Sequence, residues 1–95
     1  MKSVRIFLLK GKESMIDHVK SIQTLGCIYW KKSRNRKFEV GDICYLYLIG
    51  EGHYQVRYRL EVVSTSCIRE DNLCWLVPFM ADHDCYKLIP TSAMY

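Results

Sequence analysis

The chain has 95 residues, 49% of them hydrophobic and 25% charged, with a formal net charge of +4. That length points to one domain, spanning 1–95, whose modest core buries about 60–65% of the surface the unfolded chain exposes. Seven Tyr, three Phe and two Trp exclude a disordered tail, and no apolar run approaches the roughly 18 residues of a membrane span.

Val4 to Leu9 is a short β-rich run ending at Lys10-Gly11-Lys12, and it predicts a first strand buried on both faces. Its four consecutive apolar residues fall short of the about 7–15 of a signal peptide, so a cytoplasmic protein is expected. Ser14-Met15-Ile16-Asp17 has the form of a capped helix start with Ser14 as N-cap. Met15, Ile16, Val19, Ile22 and Leu25 follow at helical spacing, which leaves His18 on the solvent side. Gly26 supplies the stop, since it enters the left-handed region without a Cβ penalty.

From Cys27 the character turns to β. Cys27-Ile28-Tyr29-Trp30 is extended and runs into a basic stretch without apolar period, a predicted loop. Val40-Gly41-Asp42 then opens an apolar strand, Ile43 to Ile49, and Gly50-Glu51-Gly52-His53 makes a hairpin connection. Tyr54 to Val63 alternates, with Tyr54, Val56, Tyr58, Leu60 and Val62 on one face and Gln55, Arg57, Arg59 and Glu61 on the other. Ile43, Tyr45 and Tyr47 join the apolar set as expected core. Ser64-Thr65-Ser66 should end that strand. Leu73 to Phe79 predicts another, with Pro78 implying an edge or bulge, and Tyr86 to Ile89 a last short one. Strand, helix and several antiparallel strands predict an α+β fold: a small, mixed, largely antiparallel pseudo-barrel with one flanking helix.

Five cysteines, an odd number without short paired spacing, predict reduced and mostly buried thiols. Cys74, His83 and Cys85 are the nearest approach to a metal set but lack zinc-type spacing, so no cofactor is expected. Charge is uneven. Residues 1–68 hold twelve Lys and Arg against six Asp and Glu, and residues 69–95 hold two against four. Five bases fall within seven positions: Lys31, Lys32, Arg34, Arg36 and Lys37. Arg57 and Arg59 add a pair on the alternating strand. Such clusters bind polyanions by counterion release or simply solvate a loop. The adjacent Tyr29-Trp30 favours nucleic acid, because bases stack on such rings.

Trp30-Lys31-Lys32-Ser33-Arg34-Asn35, followed by Val40-Gly41-Asp42-Ile43-Cys44-Tyr45-Leu46-Tyr47-Leu48, resembles the EVE-type branch of the PUA-like superfamily, and Tyr58 to Val63 resembles its next strand. The resemblance covers about residues 4–63, and is to the N-terminal domains of modification-dependent restriction endonucleases that join an EVE-like domain to an HNH nuclease. It implies a PUA-like pseudo-barrel that recognises a modified base, in DNA or RNA, flipped into an aromatic pocket and without catalysis of its own. Tyr29 and Trp30 would stack on the base, and Ser33 and Asn35 would bond its edge. Lys31, Lys32, Arg34, Arg36, Lys37, Arg57 and Arg59 would contact phosphates. It further implies a fused or associated nuclease, since no HNH motif occurs in these residues. The chain would then be a minimal stand-alone protein or one domain of a longer one.

Two other readings stand beside it. One is a protein-interaction module of the same fold. The other is an amidohydrolase acting on modified nucleosides, as in small ASCH-like relatives, with Lys31 or Lys32, Ser33 and a carboxylate such as Glu61 or Asp42.

Overall fold

A computed structural model describes residues 4–12, 14–50, 53–77 and 84–93, with the backbone alone at 53, 54 and 93. The N-terminal apolar run forms β1 (Ile6–Lys12), followed by α1 (His18–Leu25) and β2 (Ile28–Lys31). Then come β3 (Ile43–Gly50), β4 (His53–Cys67) and β5 (Cys85–Ala93). One sheet joins the strands in the order β1-β3-β4-β5-β2. β1 runs parallel to β3, and the other pairs are antiparallel. The fold is α+β, a mixed sheet curled into a half-barrel with one helix. β1 and β2 are its two outer strands, so the curl stops at a seam between them.

The core lies inside the curl, where Leu9, Cys44, Leu46, Leu48, Leu60, Val62 and Leu88 are fully enclosed. On β3 this corrects the expected face. Cys44, Leu46 and Leu48 point inward, whereas Tyr45 and Tyr47 are half-buried on the other side. Both alternate sets of that strand are apolar, so periodicity could not choose between them; pairing of Leu9 with Leu46 does. The alternation of β4 also slips. Leu46 pairs with Tyr58 but Tyr47 with Val56, which leaves Arg57 as an extra residue in a bulge and puts Val56 on the outer side.

Further boundaries move. α1 starts not at Ser14 but after Asp17, whose carboxylate accepts from the Lys20 amide at 3.0 Å. Met15 therefore lies in a turn, and His18 becomes the first helical residue and is buried. Gly26 ends the helix at φ 72°, as expected. β1 is enclosed on one side only, and Ile6 is 63% exposed. β4 runs on through Ser64–Ser66 because β5 accompanies it to the Cys67–Cys85 pair. β5 is nine residues rather than four. It tolerates Pro90 because β2 pairs only as far as Leu88, so no ladder bond is lost on that side.

The expected strand from Leu73 is a 3₁₀ turn, Asn72–Cys74, followed by a single bridge from Trp75 to Ile16. The Asp17 amide donates to the Cys74 carbonyl and the Leu76 amide to the Met15 carbonyl, each at 2.8 Å. This tie to the helix start replaces sheet pairing, and Leu73 and Leu76 stay exposed. Glu51, Gly52 and 78–83, including Pro78 and His83, lie outside the described residues.

Gly41 and Asp42 have the structural roles their residue types predict. Gly41 has φ 96°, and the Asp42 carboxylate accepts from the Glu39 amide at 2.7 Å. Arg5 clamps the same carboxylate through Nε and Nη2, the latter at 2.9 Å. No disulfide joins the five cysteines, and burial pushes the Cys44 thiol up to about 12. No helix among the described residues is long and apolar enough to cross a membrane.

Candidate nucleic-acid interface

A cavity of about 290 Å³ occupies the seam where the half-barrel fails to close. One wall is the end of β1, with Gly11 flanked by Lys10 and Lys12; the opposite wall is Trp30 and Lys31 of β2. His18 and Arg69 close it from the helix side. Trp30 packs one part of its ring on the core and is half-buried. The pocket therefore offers an aromatic wall within a cationic rim, the combination that stacks a base and holds its phosphates.

His18 is the unusual group. Its side chain is only 4% exposed, its ring lies 6.0 Å from that of Trp30, and its Nδ1 is buried without a hydrogen-bond partner among the described residues. Burial lowers its pKa to about 4, with Arg69 acting in the same direction against Asp71 and Asp17, so the imidazole is neutral at pH 7. Gly11 makes room for it, since a Cβ there would lie 2.9 Å from His18 Cε1.

Beneath the pocket Asp71 is 1% exposed and accepts from Arg69 Nε at 2.8 Å, Arg69 Nη2 at 3.1 Å and Trp75 Nε1 at 2.9 Å. Arg69 Nη2 also donates to the Tyr29 carbonyl at 3.4 Å, which ties this ionic group to the back of β2. The Tyr29 ring is 3% exposed and burial raises its phenol pKa. It offers no open face, so Trp30 is the more exposed ring of the pair.

The basic stretch folds as a tight turn in which Ser33 bridges Arg36 across Arg34 and Asn35. Lys32, Ser33, Arg34 and Lys37 line a different cavity, of about 470 Å³, against Phe38 and Tyr86. The sequence-predicted residues are thus split: Tyr29, Trp30 and Lys31 meet at the seam, and the Ser33 expected at the base edge does not. Asn35, Arg36, Arg57 and Arg59 line neither cavity. Several of these cations are engaged. Lys32 pairs with Asp84 at 2.8 Å and lies over the Tyr86 ring; Arg36 donates to the Leu8 carbonyl on the edge of β1 at 3.0 Å; Arg59 donates to Thr91 Oγ1 at 2.8 Å. Of the residues nominated for an amidohydrolase, Asp42 is held by Arg5 and the Glu39 amide, Lys32 pairs with Asp84, and Lys31 and Ser33 line different cavities.

No family model matches the chain, and no solved structure matches it. A stretch of 41 residues, 43% of this chain, is 29% identical to part of hexokinase-2 of Schizosaccharomyces pombe. That stretch is 9% of the hexokinase. So short a likeness assigns neither fold nor activity.

Seven lining residues were not expected from the sequence, among them four polar ones: Lys10, Lys12, His18 and Arg69. The lysines belong to a strand far from the basic cluster in sequence, and only the curl of the sheet brings them opposite Lys31. His18 had a signal, since Asp17 is as good a cap as Ser14 and starting there turns His18 inward. Arg69-Glu70-Asp71, a short opposite-charge spacing, reads in sequence only as a turn.

Proposed function

We propose that the chain is a non-catalytic nucleic-acid-binding domain of PUA-like, EVE-type character that takes a modified base, flipped out of its strand, into the seam pocket. The observation that carries this reading is Trp30 in the wall of a pocket rimmed by Lys10, Lys12 and Lys31. An aromatic surface in an open pocket favours a planar ring, and lysines lining it favour the phosphates on either side of that ring. A volume near 290 Å³ is at the small end of ligand sites and suits one ring system rather than a peptide or an extended ligand. The half-barrel with one flanking helix is compatible with the fold that the Trp30–Leu48 motif implies. In the resembling endonucleases such a domain works with a nuclease, so the partner of this one would be modified DNA, or RNA, and a fused or associated nuclease.

The test is a salt series with labelled single-stranded DNA and RNA oligonucleotides, with and without a methylated base. Affinity is expected to fall linearly on a log–log plot. Replacing Lys10, Lys12 and Lys31 with Gln should flatten the slope by about 0.7–0.9 for each phosphate that is no longer neutralised. The same change at Arg34 and Lys37, outside the pocket, should matter less. A parent protein that binds no oligonucleotide at low salt would overturn the reading. It would favour the interaction-module alternative, which has one observation behind it: Val4, Ile6 and Leu8 are exposed along the open edge strand.

A further inference from the structure

We infer that the His18 imidazole is the group that reads the edge of the ring held against Trp30. This rests on the pocket reading above but names a specificity residue that the motif does not. Four observations converge on it. Nδ1 is buried beside Gly11, 3.1 Å from where a Cβ there would stand, and has no hydrogen-bond partner among the described residues, an unfavourable state for a polar atom. The imidazole lines the pocket beside the indole, with ring centres 6.0 Å apart. Ser33 lines another cavity and Asn35 neither, which leaves the seam pocket without the neutral hydrogen-bonding groups expected for it from the motif.

The fourth observation is charge. The groups facing His18 are Arg69 and the rim lysines Lys10, Lys12 and Lys31 on one side, and Asp71 and Asp17 on the other. Burial outweighs both sets and keeps the imidazole neutral at pH 7. A neutral imidazole carries one donor and one acceptor, which matches the uncharged edge of a nucleobase. An imidazolium would instead prefer a phosphate. The division of labour is then clear: lysines outside for the backbone, indole for the ring face, imidazole for the edge. The ligand class is an uncharged heteroaromatic ring with a hydrogen-bonding edge; its presentation on a polyanion belongs to the pocket reading.

The experiment follows the His18 imidazole Cε1–H resonance by NMR while phosphate-free nucleosides (adenosine, cytidine and their N6-methyl and 5-methyl forms) and matching oligonucleotides are added. The parent is compared with His18→Phe and His18→Gln, each checked for folding by urea denaturation. The expected result is a shift of the His18 resonance, a loss of preference among bases of about threefold to tenfold in His18→Phe, and part of that preference restored in His18→Gln. Should oligonucleotides bind while both folded variants keep the parental base preference, the inference falls and the nucleic-acid reading stands. Should nucleosides shift His18 while no oligonucleotide binds, the reading falls and the inference stands. Binding of neither overturns both.

Discussion

Asp71→Ala is expected to lower folding stability by about 3–5 kcal/mol, the cost of removing one partner from a buried ion pair. The Arg69 and Asp71 side chains are 4% and 2% exposed, so water cannot replace the missing carboxylate. The Trp75 indole loses its bond to Asp71 in the same step. A small domain has only about 5–15 kcal/mol in all, so a large part of the molecules should unfold. In urea the midpoint should drop by about 2 M, at the slopes typical of small proteins. Replacing both charges together, Arg69→Met with Asp71→Leu, should recover much of the stability, because no charge is then left in the interior. A midpoint unchanged in Asp71→Ala would show that the pair is solvated rather than structural. The effect bears on the site because Arg69 also holds the Tyr29 carbonyl and lines the pocket.

Acid is expected to destabilise the protein in a window set by His18. Its pKa in the folded state is about 4, against the ordinary 6.5 that the unfolded chain would show. Above pH 6.5 the residue is neutral in both states and contributes no pH dependence. Between 6.5 and 4 the unfolded chain takes up a proton that the folded one refuses, so stability falls as pH falls. Below 4 both are protonated and this contribution levels off. The gap corresponds to on the order of 3 kcal/mol. Other acidic groups can change the acid limb in both proteins alike, so the comparison that isolates His18 is parent against His18→Gln. The variant should lose much less stability between pH 6.5 and 4. Parallel pH curves for the two proteins would mean that His18 is reached by solvent.

How far the sequence revealed this depends on which signal a segment carried. The β3–β4 hairpin was legible because an apolar strand, a Gly-containing turn and an alternating strand follow one another, and that pairing is local. Gly26 and Gly41 were legible because each occupies a left-handed position that a Cβ would disfavour. The inward face of β3 was not, since Ile43-Cys44-Tyr45-Leu46-Tyr47-Leu48 is apolar on both faces. Leu73 to Phe79 reads as a strand from its apolar content, yet bonds to the start of α1 hold residues 74–76 and leave Leu73 and Leu76 in solvent. Of the site, Trp30 beside Lys31 was visible because they are adjacent in sequence. The basic cluster draws attention away from Lys10 and Lys12, which reach β2 only because the sheet curls its two outer strands toward each other. Adjacent aromatics also mislead. Tyr29 lines the same pocket but is 3% exposed, which leaves Trp30 as the more open ring of the two.

The central claim, that Trp30 forms the stacking wall of a base pocket, is tested most directly by Trp30→Ala. Binding of a modified single-stranded oligonucleotide and urea denaturation would be measured on the same sample, with affinity corrected to the folded fraction. Trp30 is half-buried against the core, so some loss of stability is expected in any case. The account predicts in addition a loss of about 1–3 kcal/mol in binding, roughly fivefold to more than a hundredfold in affinity. A folded fraction that binds with parental affinity would contradict it and leave Trp30 as a packing residue at the seam.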